Sequence, residues 1–307
     1  MWSAPPEQHP PGDDEHPPDD DDRPAGVDDP SSEADDIPPW PVWTVPAGLG
    51  LGLALTLLTG SIVLAIGAAS GASLSNEPPA VNIAESVAQD ASFVAAALAF
   101  AVFMFRARPA DFGFRRVPIG LAVGLFVTAG IGYYVISYFY TVALNIHGRD
   151  TLPSGFGVNS STAALIATTI FVCLVAPIAE ELIFRGFIFG ALRRIRLRIG
   201  SNDLGTWVAA VITGVLFGAA HVGGTATAGQ LVQLGFLGFV LCLLRWRTGS
   251  LYPGMALHSL NNALAIGVSE HWPALGVIGL IVGAVAVVCT ITAPLAAPPL
   301  PAAVGGG

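Results

Sequence analysis

Three clusters of polar side chains stand inside strongly apolar sequence. Glu180, Glu181 and Arg185 lie in FVCLVAPIAEELIFRGFIFGAL, Phe217 and His221 in LFGAAHV, and His258, Asn261 and Asn262 in GMALHSLNNALA. Charges in a membrane span are costly, at about 2.5–3.5 kcal/mol for a central acid or Arg, so each implies a polar interior and a task. Glu181 and Arg185 are four apart with the acid first, the favourable order for an ion pair on one helix face. Glu180 points about 100° away and has no basic partner on its own helix. A buried ion pair that merely fixes packing accounts for Glu181 and Arg185 but not for Glu180. His221 follows Phe217 by four residues, and Asn262 follows His258 by four, so each pair shares a face. A single intramembrane His is often a satisfied structural group; two, with an Asn and a Glu pair, form a candidate site.

The chemistry these residues suit is hydrolysis of a peptide bond by activated water. A carboxylate withdrawn from water is a stronger base, and a His shares proton work. A second His and an Asn can donate hydrogen bonds to a developing oxyanion. No Ser has the setting of an activated nucleophile, since Ser259 follows His258 directly and faces elsewhere. No expected span carries a central Asp, which argues against an aspartate dyad. Glu180, Glu181, His221 and His258 could instead hold a divalent metal, zinc for example, although HExxH is absent.

The elements that must position these groups are membrane helices. The chain has 307 residues, 53% hydrophobic and 11% charged, which excludes a disordered or disulfide-built protein and points to a polytopic one. Eight apolar segments, at 45–70, 88–106, 117–145, 161–192, 205–222, 229–245, 253–268 and 273–296, predict an all-α fold of about eight transmembrane helices, the seventh being short. Pro177 should kink the fourth. Gly186 with Gly190, and Gly214 with Gly218, should let the fourth and fifth pack closely. Measured from the basic ends of their helices, Glu180, His221 and Asn262 lie at about 20, 24 and 13 Å, close enough for one site.

Charge sets the topology. Residues 1–40 hold thirteen acids and one Arg, and the other twelve basic residues are all Arg. Arg106, Arg108, Arg115, Arg116, Arg193, Arg194, Arg196, Arg198, Arg245 and Arg247 fall in loops on one side, with only Arg149 opposite. The positive-inside tendency then puts both termini in the cytoplasm of a plasma-membrane protein. An Arg-only basic set with much Ala, Pro and Gly suggests a high-GC bacterial genome. Residues 1–42 read as a disordered, acidic, Pro-rich cytoplasmic tail, without the basic and apolar regions of a signal peptide. Trp40 and Trp43 would mark the membrane interface. Residues 43–160 hold helices one to three, 161–268 the polar core of helices four to seven, and 269–307 the last helix and a C-terminal tail. Cys173, Cys242 and Cys289 lie in apolar runs and imply no disulfide framework.

In order and spacing, EExxxR at Glu180–Arg185, FxxxH at Phe217–His221 and HxxxN at His258–Asn262 resemble the CPBP family of intramembrane proteases, also called the CAAX-protease or Abi family. DFGFRR at 111–116 also looks like a family feature. The resemblance implies an intramembrane endopeptidase. By carry-over, Glu180 and His221 would activate water, His258 and Asn262 would hold the oxyanion, and Glu181, Arg185 and Phe217 would support the site. Family members are often called metalloproteases, so zinc stays open beside a metal-free glutamate mechanism. Bacteria generally lack prenylated CAAX substrates, so the implied partners are the bilayer and a membrane-associated protein or peptide substrate, and no nucleic acid. Two other readings keep the same residues: a non-catalytic scaffold, for instance in bacteriocin immunity, and a transporter using Glu180 as a proton relay. The transporter is disfavoured by the lack of an internal repeat.

Overall fold

A computed structural model describes residues 37–69, 71–73, 78–146, 156–199, 202–222 and 227–299. The acidic segment 1–36 and Arg149 lie outside these residues. The described chain is an all-α bundle of eight long helices: α1 (Thr44–Ala68), α2 (Pro79–Met104), α3 (Ile119–Ala143), α4 (Thr162–Leu192), α5 (Gly205–Ala219), α6 (Ala228–Thr248), α7 (Tyr252–Ser269) and α8 (Ala274–Thr292). Each of the eight apolar segments forms a helix. Six are long and apolar enough to span a bilayer; α5 is too short, and α7 carries too many polar residues. A two-residue antiparallel ribbon, Arg198–Ile199 with Asn202–Asp203, turns the chain between α4 and α5.

Local sequence explains the ends. Ser161 accepts the Ala164 amide at the start of α4. Thr227 and Gln230 form a reciprocal capping box on α6, and Gly249 closes that helix at φ 63°. The outer helices are apolar all round because their outer faces meet lipid: Leu57, Ile66, Ile119, Phe139 and Ile278 are exposed. α4 and α6 are the most enclosed of the six spans.

Two packing expectations change. Gly214 and Gly218 pack against α6 and not α4: a Cβ at either would meet backbone of α6, at Gly235 O (2.7 Å) and Leu231 O (2.6 Å). The glycines of α6 itself, Gly235 and Gly238, complete that contact. Gly186 faces Phe112, and Gly190 faces Pro38 and Trp40. Trp40 is not an interface anchor. It is fully buried, packs at a tilt against Phe112, stacks on Phe187, and donates its indole N–H to the Phe187 carbonyl at 3.0 Å. Trp43, half exposed, keeps an outward position. The short helical turn Pro109–Phe112 and the DFGFRR segment clamp the base of the bundle. Leu251 N donates to Gly113 O, Ser250 Oγ to Arg115 O, and Arg116 N to Ala297 O. Gly113, at φ 102°, lies against the Arg245 guanidinium, where a Cβ has no room.

Candidate active site

The backbone of α4 is not a plain α-helix around the Glu pair. Residues Phe171–Val175 and Glu181–Ile188 are wound as π-helix, and Ala176–Glu180 lies between them as α-helix. Pro177 explains the first stretch. The Ala176 amide reaches back five residues to Phe171 O. Pro177 has no N–H to offer Val172 O, so that carbonyl is left open. Asn262 fills it from α7, donating Nδ2–H to Val172 O at 2.8 Å. Asn262 Oδ1 in turn accepts from Asn261 Nδ2 at 3.4 Å. The expected kink is thus a π-bulge, and its freed carbonyl positions a site residue.

Glu181 and Arg185 form the buried pair read from the sequence, with Oε1 and Nη1 2.9 Å apart and both side chains excluded from solvent. The guanidinium also lies over the Phe217 ring, 4.3 Å from its centroid, and donates Nη2–H to Gly238 O at 3.4 Å. Phe217 therefore braces Arg185 from α5. On the other side of Glu181, Oε1 lies 3.2 Å from His258 Nδ1. A carboxylate only accepts, so Nδ1 carries the proton and donates it. His258 Nε2 then faces Glu180 Oε2 at 3.7 Å. Arg185, Glu181, His258 and Glu180 thus form one ordered row, in which Glu181 holds the imidazole that addresses Glu180.

His221 lies just past the end of α5. Its Nδ1 is 2.8 Å from Phe217 O. A carbonyl accepts, so Nδ1–H donates, which caps a free C-terminal carbonyl and leaves Nε2 unprotonated on the neutral ring. Glu180, His221, His258 and Asn262 all line one cavity of about 720 Å³. Its remaining walls are mostly apolar, among them Phe93, Phe171, Ile183, Phe184 and Leu216. Asn261, expected in a helix–helix hydrogen bond, accepts from Tyr134 OH at 3.3 Å.

A metal centre needs a converging set of ligands. Among the described residues, no three or more His, Cys, Asp or Glu side chains converge as a ligand set. Glu181 Oε1 is already engaged by Arg185 and His258. The arrangement of Glu180, Glu181, His221 and His258 does not fit a metal centre.

One expectation is overturned here. α2 begins at Pro79, well before the apolar stretch at 88, so Asp90 is a mid-helix residue. It is 8% exposed and lines the same cavity as Glu180. The polar residues at 82–90 disguise this part of α2 in a hydropathy reading. Their spacing gives the signal: Asn82, Ser86, Gln89 and Asp90 share one helical face.

Residues 162–264 match a family model described as type II CAAX prenyl endopeptidase Rce1-like. That segment carries all three motifs, so the CPBP/CAAX-protease resemblance holds across the polar core. No curated protein matches the chain, and no solved structure does.

Proposed function

We propose that the chain, which over residues 162–264 is similar to type II CAAX prenyl endopeptidases, is an intramembrane endopeptidase that hydrolyses membrane-associated proteins or peptides with a Glu- and His-activated water. The observation that carries this reading is the convergence of Glu180, His221, His258 and Asn262 on one cavity lined mostly by apolar groups. Glu180 takes a proton from water, and the resulting hydroxide oxygen bonds to the scissile carbonyl carbon. His221, with Nε2 open, shares that proton work. The oxyanion meets the Asn262 amide, whose other N–H is tied to Val172 O and fixes its direction, and His258 once Nε2 also carries a proton, Nδ1–H being committed to Glu181. The C–N bond then breaks, and the proton taken by Glu180 passes to the leaving amine. Glu181 and Arg185 act through His258 and are positioning residues.

The distribution of Arg supports a plasma-membrane protein with both termini in the cytoplasm. The cavity is set near the middle of the bundle: its residues fall mainly in the first half of α2 and the last turns of α5, while Glu180 on α4 and His258 on α7 lie close to the midpoints of their helices. The test compares the termini of membrane proteins by mass spectrometry in cells with wild type or Glu180→Gln at equal abundance. Termini found only with wild type are expected. Identical sets across growth conditions refute the reading and favour the scaffold.

A further inference from the structure

The cavity contains a carboxylate that the proposed reaction does not use. Asp90 Oδ2 is buried and has no hydrogen-bond partner among the described residues. A bare buried carboxylate oxygen is expensive to maintain and calls for a donor. The charge around it is unbalanced. Glu181 is neutralised by Arg185, which leaves Asp90 and Glu180 on the cavity wall. Among the described residues no Arg lines the cavity, and the chain contains no Lys. Ser86, Gln89, Asp90 and Phe93 are spaced i, i+3, i+4 and i+7, and all four line the cavity from α2. One wall therefore offers two neutral hydrogen-bonding groups beside an acid, and the others offer chiefly aromatic and aliphatic surface.

We propose that Asp90 is the specificity-determining residue of a subsite for a cationic side chain, Lys or Arg, carried by an otherwise apolar peptide lying against Glu180. The ammonium or guanidinium supplies the donor that Asp90 Oδ2 lacks and balances the charge of the cavity. The apolar flanks of the peptide meet the aromatic walls. The inference rests on the peptidase reading for the presence of a peptide, but its test does not.

Wild type, Asp90→Asn and Asp90→Glu are reconstituted in lipid nanodiscs. Binding is read by fluorescence anisotropy with two labelled apolar nonapeptides that differ only in a central Lys or norleucine. Wild type is expected to bind the Lys peptide about 10- to 100-fold more tightly, the range of a charge-assisted hydrogen bond in a buried site. That ratio should collapse toward one in Asp90→Asn and persist in Asp90→Glu. A structural role for Asp90 weakens both peptides together and leaves the ratio unchanged, which overturns the proposal. So do a ratio near one in wild type and binding of neither peptide. Cleavage of the same peptides is followed in parallel. An intact ratio without cleavage refutes the peptidase reading alone; cleavage with a ratio of one refutes the subsite alone.

Discussion

Gly254→Ala adds one methyl group where α7 passes the buried carboxylate of Glu181. The new Cβ would lie 2.7 Å from Glu181 Oε2, against 3.4 Å for ordinary contact. The carboxylate must retreat by about 0.7 Å, and it is not free to do so. Arg185 holds it at 2.9 Å and His258 at 3.2 Å. Overpacking at such a site costs about 1–3 kcal/mol. The larger effect falls on the chemistry. Any retreat drags or releases the His258 imidazole, whose Nε2 addresses Glu180 across 3.7 Å. Misplacement on the order of 1 Å in a reacting constellation costs about 100-fold in rate, so a 10- to 100-fold loss of kcat is expected. Turnover of a cleaved peptide by purified protein is the assay, with thermal unfolding in the same detergent as the check on folding. Gly124→Ala on α3, where a Cβ meets nothing within 4 Å, is the control and should leave both readings unchanged. Wild-type kcat in a folded Gly254→Ala protein would refute the view that Glu181 sets the position of His258.

Other outcomes follow from the same contacts. Arg185→Met strands the Glu181 charge in the core and should destabilise the protein by about 3–5 kcal/mol, read as lost thermal stability in detergent. The double change Glu181→Leu with Arg185→Met should recover much of that stability without recovering cleavage. Asn262→Leu leaves Val172 O without its donor and should cost about 1–3 kcal/mol together with turnover, measured on the same preparations. Asp203 is held below its usual range first by the Gly205 amide, then by Arg196 and the Leu197 amide. Its contribution to the ribbon between α4 and α5 is present above pH 3.8 and fades as pH falls through the lowered value. Amide exchange at Gly205 should therefore speed up at acid pH in wild type and be already fast in Asp203→Ala.

Much of the polar core was legible in the sequence because charge in an apolar run has few explanations. Glu181 with Arg185, His258 with Asn262 and Phe217 with His221 each share a face, as the 3.6-residue period requires. What the period cannot show is which helix lies opposite. Gly214 and Gly218 were expected against α4, yet α6 brings its own glycines, Gly235 and Gly238, to meet them. Trp40 carries the signature of an interface residue, but its indole N–H found a carbonyl on α4 and its ring found Phe112 and Phe187. Asp90 escaped for a different reason. Hydropathy measures average polarity, and a helix whose first half turns polar side chains toward a cavity scores there like a loop. The π-winding of α4 was half visible: Pro177 announces a lost hydrogen bond, but only the partner, Asn262, reveals how the loss is used.

The shortness of α5 has a consequence for the bilayer itself. Fifteen residues rise only about 22 Å, against a hydrocarbon layer of about 30 Å. A bilayer that thins to meet this helix brings its headgroups toward the end that carries His221. Hydrolysis consumes one water per bond cut, and the interior of a membrane is a poor source of it. On the proposed peptidase reading, a dimple in the leaflet over α5 shortens the path from solvent to Glu180, and membrane thickness becomes a variable of the reaction rate.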